Sequence, residues 1–152
     1  METKPVLQTE NLYRAIQLTR PLLRRISAYV EQELTDTGVS VGQRAVLEVL
    51  YNQGPLTAPQ LTRMLELKRQ FVARMLSEAS DAGLVEQLPN PDHARAHMHV
   101  LTDAGRAAIE TIRDHEMTRL SELEKQFSAD EIEAHFKVQQ KLISWFSQNL
   151  KS

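Results

Sequence analysis

The chain contains no cysteine, which excludes disulfides, thiolate metal sites and thiol-based redox sensing. It has only five glycines in 152 residues, no low-complexity tract and no internal repeat. No stretch approaches the ~18 consecutive apolar residues of a membrane span, so no membrane partner is expected. The opening Met1-Glu2-Thr3-Lys4-Pro5 lacks the charged and apolar regions of a signal peptide, and a cytoplasmic protein is the simplest expectation. Catalytic signatures are missing too. There is no GxSxG, no phosphate-binding glycine loop, no HExxH and no cysteine nucleophile, so an enzyme is not expected.

What is present is ordinary in amount and informative in order. Hydrophobic residues make up 41% and charged residues 25%, enough for one domain with a proper core. The net charge of −2 hides a segregation. Residues 11–30 carry Arg14, Arg20, Arg24 and Arg25 with no acid, and residues 63–74 carry four bases against Glu66 alone. Residues 103–135 carry nine acids against four bases and read as a solvated face. Binding follows the local field rather than the sum. Over residues 55–100, however, charge balances five to five, so any basic footprint is narrow.

Helix starts are marked by N-capping side chains: Ser40 with Gln43, Thr57 with Gln60, Thr102 alone, and Ser128 with Glu131. Between them apolar residues recur at helical spacing. The expected helices are about Leu7–Thr35 with a kink at Pro21, Ser40–Gln53, Thr57–Leu65, Lys68–Ala82, Thr102 to about Phe127, and Ser128–Leu150. Gly38, Gly54 and Gly83 supply stops. After Gly83 the period changes to two. Leu84–Leu88 and Ala96–Leu101 read as strands joined by a turn-rich loop, Pro89–Arg95. The fold class is therefore mainly α with a small antiparallel β-wing, a winged helix-turn-helix. Residues 39–105 would form that lobe. Residues 1–38 and 106–152 would form a helical dimerisation layer, with Trp145, Phe146 and Leu150 as an anchor against the first helix.

The second helix of the helix-turn-helix carries chemistry suited to the major groove. Phe71, Val72, Met75, Leu76 and Ala79 share its inner face. Gln70, Ala73, Arg74, Ser77 and Asp81 share the outer one, with Arg69 at its edge. Arginine can fork onto guanine, glutamine onto adenine, and alanine can meet a thymine methyl. The positive helix start favours phosphate, held by Lys68 and Arg69. At the wing, Arg95, with His93 and Asn90 nearby, can reach the minor groove or its phosphates. The plain alternative is a solvated polar face, with Asp92 and Arg95 paired locally.

Three runs, Leu67 to Arg74, Ala82 to Val85 and Ala96 to Gly105, resemble the MarR family of bacterial transcriptional regulators, and the resemblance extends over nearly the whole chain. It implies a homodimer whose interlocked terminal helices place two winged lobes on a pseudo-palindromic operator. It also implies a repressor released by a small anionic aromatic effector. By position, Arg74 matches the family's recognition-helix arginine and Arg95 its wing-tip arginine. Lys68 replaces a common serine N-cap. His93 and Ala94 stand where members tend to have an Asp and a second basic residue, so the wing has one cation fewer. The family's usual pocket, between the first helix and the winged lobe, would be lined here by Tyr13, Ile16, Arg20, Tyr29 and Tyr51. The plain reading of those five is core and dimer interface.

His97 and His99 point to one side of a strand, with His93 and Asp92 close by. A metal site is under-determined by these residues, and the histidines read as DNA-facing or solvated. His115-Glu116 has no histidine partner one turn on. No metal and no cofactor is expected. The rival to DNA binding is a winged-helix dimer turned protein-interaction module, which the balanced charge and the missing wing cation keep open.

Overall fold

A computed structural model describes residues 3–93 and 95–151, with side chains from residue 7 onward. Met1, Glu2, Ala94 and Ser152 lie outside the described residues, and with them the opening of the chain and the wing position beside His93. The helices are α1 (Thr3–Glu33), α2 (Val41–Gln53), α3 (Ala58–Leu65), α4 (Arg69–Asp81), α5 (Asp103–Leu123) and α6 (Ala129–Asn149). The strands are β1 (Leu56–Thr57), β2 (Val85–Leu88) and β3 (Met98–Leu101). A short 3₁₀ turn over Glu124–Gln126 separates α5 from α6. Helix α1 starts four residues earlier than its apolar pattern suggests and continues through Pro21.

The predicted caps close as capping boxes. Ser40 Oγ accepts from the Gln43 N–H at 3.1 Å, and Gln43 Oε1 accepts from the Ser40 N–H at 3.1 Å. Thr57 with Gln60 and Ser128 with Glu131 repeat the arrangement. At Glu131 the backbone and hydroxyl bonds to Ser128 hold its carboxyl below the usual value. Gly38, Gly54 and Gly83 all adopt positive φ, where glycine carries no Cβ penalty.

Two compact units emerge, residues 1–110 and residues 111–152. The first unit holds α1, the winged elements and the start of α5. The core of the first unit is built from Val46, Leu47 and Leu50 of α2, Leu61 of α3, Val72 and Ala79 of α4, Val85 of β2 and Ile109 of α5. By contrast, most apolar side chains of α1 stay exposed, among them Leu12, Leu22, Leu23 and Ile26. On α6, Phe136, Ile143, Trp145 and Phe146 are also exposed, with Trp145 and Phe146 in edge-to-face contact.

The sheet has three strands, in the order β1-β3-β2, all antiparallel neighbours. Strand β1 is an addition to the hairpin expected from sequence. Two residues are too few to show alternation, and Thr57 serves both as strand residue and as the cap of α3. Its presence makes β3 the central strand. Gln87 and Leu56 both face His99 in register, so these side chains share one side of the sheet. That side looks onto α4, and His99 is 6% exposed. The expectation of a solvated or DNA-facing His99 is thus corrected: α4 covers this one ring, while His97 two residues earlier stays exposed.

Candidate nucleic-acid interface

The interface begins with the approach of α2 and α4. Gly42 makes it possible, because a Cβ there would stand 2.5 Å from Met75 Sδ and 2.9 Å from Phe71 Cζ. Gln43 Nε2 also donates to Glu78 Oε2 at 3.3 Å, tying the two helices. Pinned in this way, α4 buries Val72, Met75, Leu76 and Ala79. Its opposite face carries Arg69, Gln70, Ala73, Arg74 and Ser77, all exposed, with exposed Lys68 at the N-cap making no side-chain cap bond. The first two turns therefore leave their N–H dipoles and two guanidinium groups to an outside partner.

Arg74 is less free than its wheel position suggests. Its guanidinium lies over the Phe71 ring, 5.3 Å from the centroid, and its Nε is 3.9 Å from Glu78 Oε1. With the side chain 64% exposed, the ion pair is a weak, screened tether that a phosphate or a base edge can replace. The spacing Arg74–Glu78 is the i,i+4 pair of any helix, so this partner was open to sequence reading.

The wing is pinned from both sides. Thr102 Oγ1 donates to the Gly83 carbonyl at 2.6 Å and accepts from the Gly105 N–H at 3.0 Å. The Thr102 N–H donates to the Leu84 carbonyl at 3.1 Å, and a Cβ on Gly105 would collide with that same carbonyl. Beyond β2, Asn90 Oδ1 accepts from the Asp92 N–H at 3.0 Å, shaping the loop as an Asx turn. His93 and Arg95 are exposed in this loop, and Arg95 makes no ion pair among the described residues. Local pairing of Asp92 with Arg95 is therefore not seen.

Behind the outer face lies a cavity of about 650 Å³, bounded by the end of α1, the start of α2 and α4. Ser27, Glu31, Leu34, Val39, Phe71, Arg74 and Met75 are among its walls. None of Tyr13, Ile16, Arg20, Tyr29 or Tyr51 lines it. Tyr13 and Tyr29 are 16 positions apart on one helix, roughly 24 Å, too far to close one small pocket within a single chain. Both are exposed, as is Arg20, while Ile16 is half-buried. Tyr51 is half-buried with Arg106 over its ring at 5.4 Å. Among the described residues no group of three histidine or acidic side chains is placed to hold a metal, and no helix is long and apolar enough to cross a membrane.

The sequence pattern of the MarR family matches residues 37–96. A crystallised MarR family transcription regulator is 46% identical, with a TM-score of 0.87 over 94% of this chain and 95% of that one. An uncharacterized protein of Mycobacterium tuberculosis is 39% identical over 59 residues, 39% of this chain. That match spans 41% of the length of the curated relative. A mutant MarR from E. coli, solved in complex with operator DNA, shares the fold with a TM-score of 0.76 at 24% identity, covering 87% of this chain and 95% of that one. On the near full-length likeness above all, the chain belongs to the MarR family, a family of transcription regulators rather than enzymes.

Proposed function

We propose that this protein is a homodimeric, sequence-specific repressor of the cytoplasm that binds duplex DNA at a pseudo-palindromic operator. The observation that carries the reading is the exposed first half of α4. Arg69, Gln70, Ala73, Arg74 and Ser77 stand outward together, on the same lobe as exposed Arg95. In this arrangement Gln70, Ala73 and Arg74 read base edges, Lys68 and Arg69 hold phosphate, and Arg95 enters the minor groove. His93 is exposed in the same loop as Arg95. The fold is shared with proteins solved on DNA, the E. coli MarR mutant and MepR of S. aureus.

Dimerisation is supported by the exposed apolar residues of α1 and α6, which a single chain leaves in water. A two-fold axis sets half-sites about 10 bp apart. Control by a small aromatic effector has a candidate space in the 650 Å³ cavity, where Leu34, Val39, Phe71 and Met75 offer apolar wall and Arg74 stands as the one cation beside Glu31 and Glu78, so an anionic group must compete with those carboxylates. An anion seated there takes the same guanidinium that DNA needs.

Selection of duplexes from a random pool, followed by titration at two salt concentrations, tests the reading. A palindromic consensus with a steep salt dependence is expected. No enrichment and no salt-sensitive binding would overturn it in favour of a protein-interaction module.

A further inference from the structure

His99 sits at the centre of the middle strand, between Leu56 of β1 and Gln87 of β2. Its Nδ1 is buried and meets no hydrogen-bond partner among the described residues. The ring lines a second cleft, about 320 Å³, whose walls include Ala73, Ser77 and Asp81 of α4 and Ala58 of α3. Ala73 and Ser77 also belong to the outward face of α4. The imidazole thus lies at the seam where the wing meets the recognition helix.

We propose that protonation of His99 is an acid-triggered release that parts the wing from α4 and so lowers DNA affinity. The release concerns the protein alone; its effect on DNA rests on the function proposed above. A neutral imidazole tolerates a bare ring nitrogen as a lone pair. A proton there adds a donor and a charge with nothing to accept either, and a buried cation without a partner is strongly unfavourable.

The surroundings offer no remedy in place. Leu56 of β1 and Ala58 of α3 are apolar, and Arg63 of α3 does not line the cleft. Gln87 of β2 and the Ser77 and Ser80 hydroxyls of α4 line the cleft as neutral groups, none of them bonded to Nδ1, and Glu86 is on the opposite side of the sheet. Of α2, Arg44 and Glu48 pair with each other at 3.5 Å and Tyr51 lies under Arg106, outside the cleft. On α4, Arg69, Arg74 and Glu78 are outside it as well, leaving Asp81, exposed near the helix end, as its one carboxylate. His97, two residues back, adds repulsion. Burial first, and then the charge of His97, hold the imidazole below its ordinary 6.5. For a base with a lowered folded value, stability is full above 6.5 and is lost as pH falls from there through the lowered folded value. The proton is accommodated when the ring leaves the seam for water or Asp81, and that requires β3 and α4 to part. Wing and helix then no longer keep the spacing that two adjacent grooves demand.

The test uses the full-length protein. The His99 ring is titrated by NMR, and amide exchange protection of β2 and β3 is measured near pH 7.5 and pH 5.5, within the range where histidines titrate. Wild type and His99→Gln are compared. In wild type the wing amides should lose about tenfold in protection in acid, in step with the ring titration, and in His99→Gln they should not. Equal loss in both proteins, or none in wild type, overturns the proposal. Should the variant not fold, wild type alone decides: loss of protection at a pH unrelated to the ring titration overturns it. A duplex selected from the random pool gives the second arm at constant salt. Wild type should weaken about tenfold more than His99→Gln between the two pH values, since both keep His93 and His97. Equal pH dependence overturns the DNA consequence. If neither protein binds DNA at either pH, the proposed function fails while the exchange arm still decides the release.

Discussion

Arg74 rests its guanidinium on the ring of Phe71, one turn earlier on α4, with 5.3 Å between the charge centre and the ring centroid. Phe71 is half-buried and lines the 650 Å³ cavity, whereas Arg74 reaches from that cavity to the outer face of the helix. One contact therefore joins the proposed effector space to the proposed base-reading surface. Replacing Arg74 by Ala should weaken binding to a selected duplex by about 1–3 kcal/mol and relax preference at one base position. Phe71→Leu keeps an apolar side chain and removes the aromatic face, so a smaller loss of about 0.5–1 kcal/mol is expected. Anisotropy titrations of the two variants check this, and an Arg74→Ala protein with parental affinity would dismiss the assignment.

Arg95 stands exposed in the wing loop without an ion pair among the described residues. Arg95→Ala should lower affinity for all duplexes alike and reduce the slope of log affinity against log salt by about one. Parallel salt titrations of parent and variant report the slope. Identical slopes would remove Arg95 from the phosphate neighbourhood.

The wing's attachment is sensitive to one hydrogen-to-methyl change. Gly105→Ala places a Cβ against the Leu84 carbonyl, a backbone atom that cannot swing aside. The loss should reach or exceed the usual ~1–3 kcal/mol of overpacking. Gly42→Ala meets chiefly the flexible Met75 side chain and should cost less. Urea unfolding of both variants ranks them, and the reverse order would contradict the geometry.

Thr102 serves two elements through one hydroxyl, capping α5 and bonding the Gly83 carbonyl that ends α4. Thr102→Val keeps the shape and removes both bonds, so a loss of about 1–2 kcal/mol is expected, at the upper end for a cap. Thermal unfolding measures it. A variant as stable as the parent would show the hydroxyl to be dispensable.

Features with local causes were readable along the chain. Capping boxes at Ser40, Thr57 and Ser128 and the positive-φ glycines at 38, 54 and 83 depend on neighbours within a few residues, and they appear where the sequence marks them. The inward set of α4 follows from a 3.6-residue period, and its outward set, Gln70 to Ser77, follows by exclusion.

What the sequence by itself determined was the order of helices and hairpin, the outward face of α4 and the loop that carries Arg95, because periodicity, capping and turn chemistry are short-range. Tertiary structure decided the rest. Strand β1 is too short to announce itself and pairs with a strand far along the chain, Leu56 opposite His99. That pairing makes β3 central, and α4 covers the side of the sheet on which His99 lies. The cavity behind Arg74 likewise exists only where α1, α2 and α4 converge. Burial is a property of what covers a side chain, and no local pattern states which element will arrive to cover it.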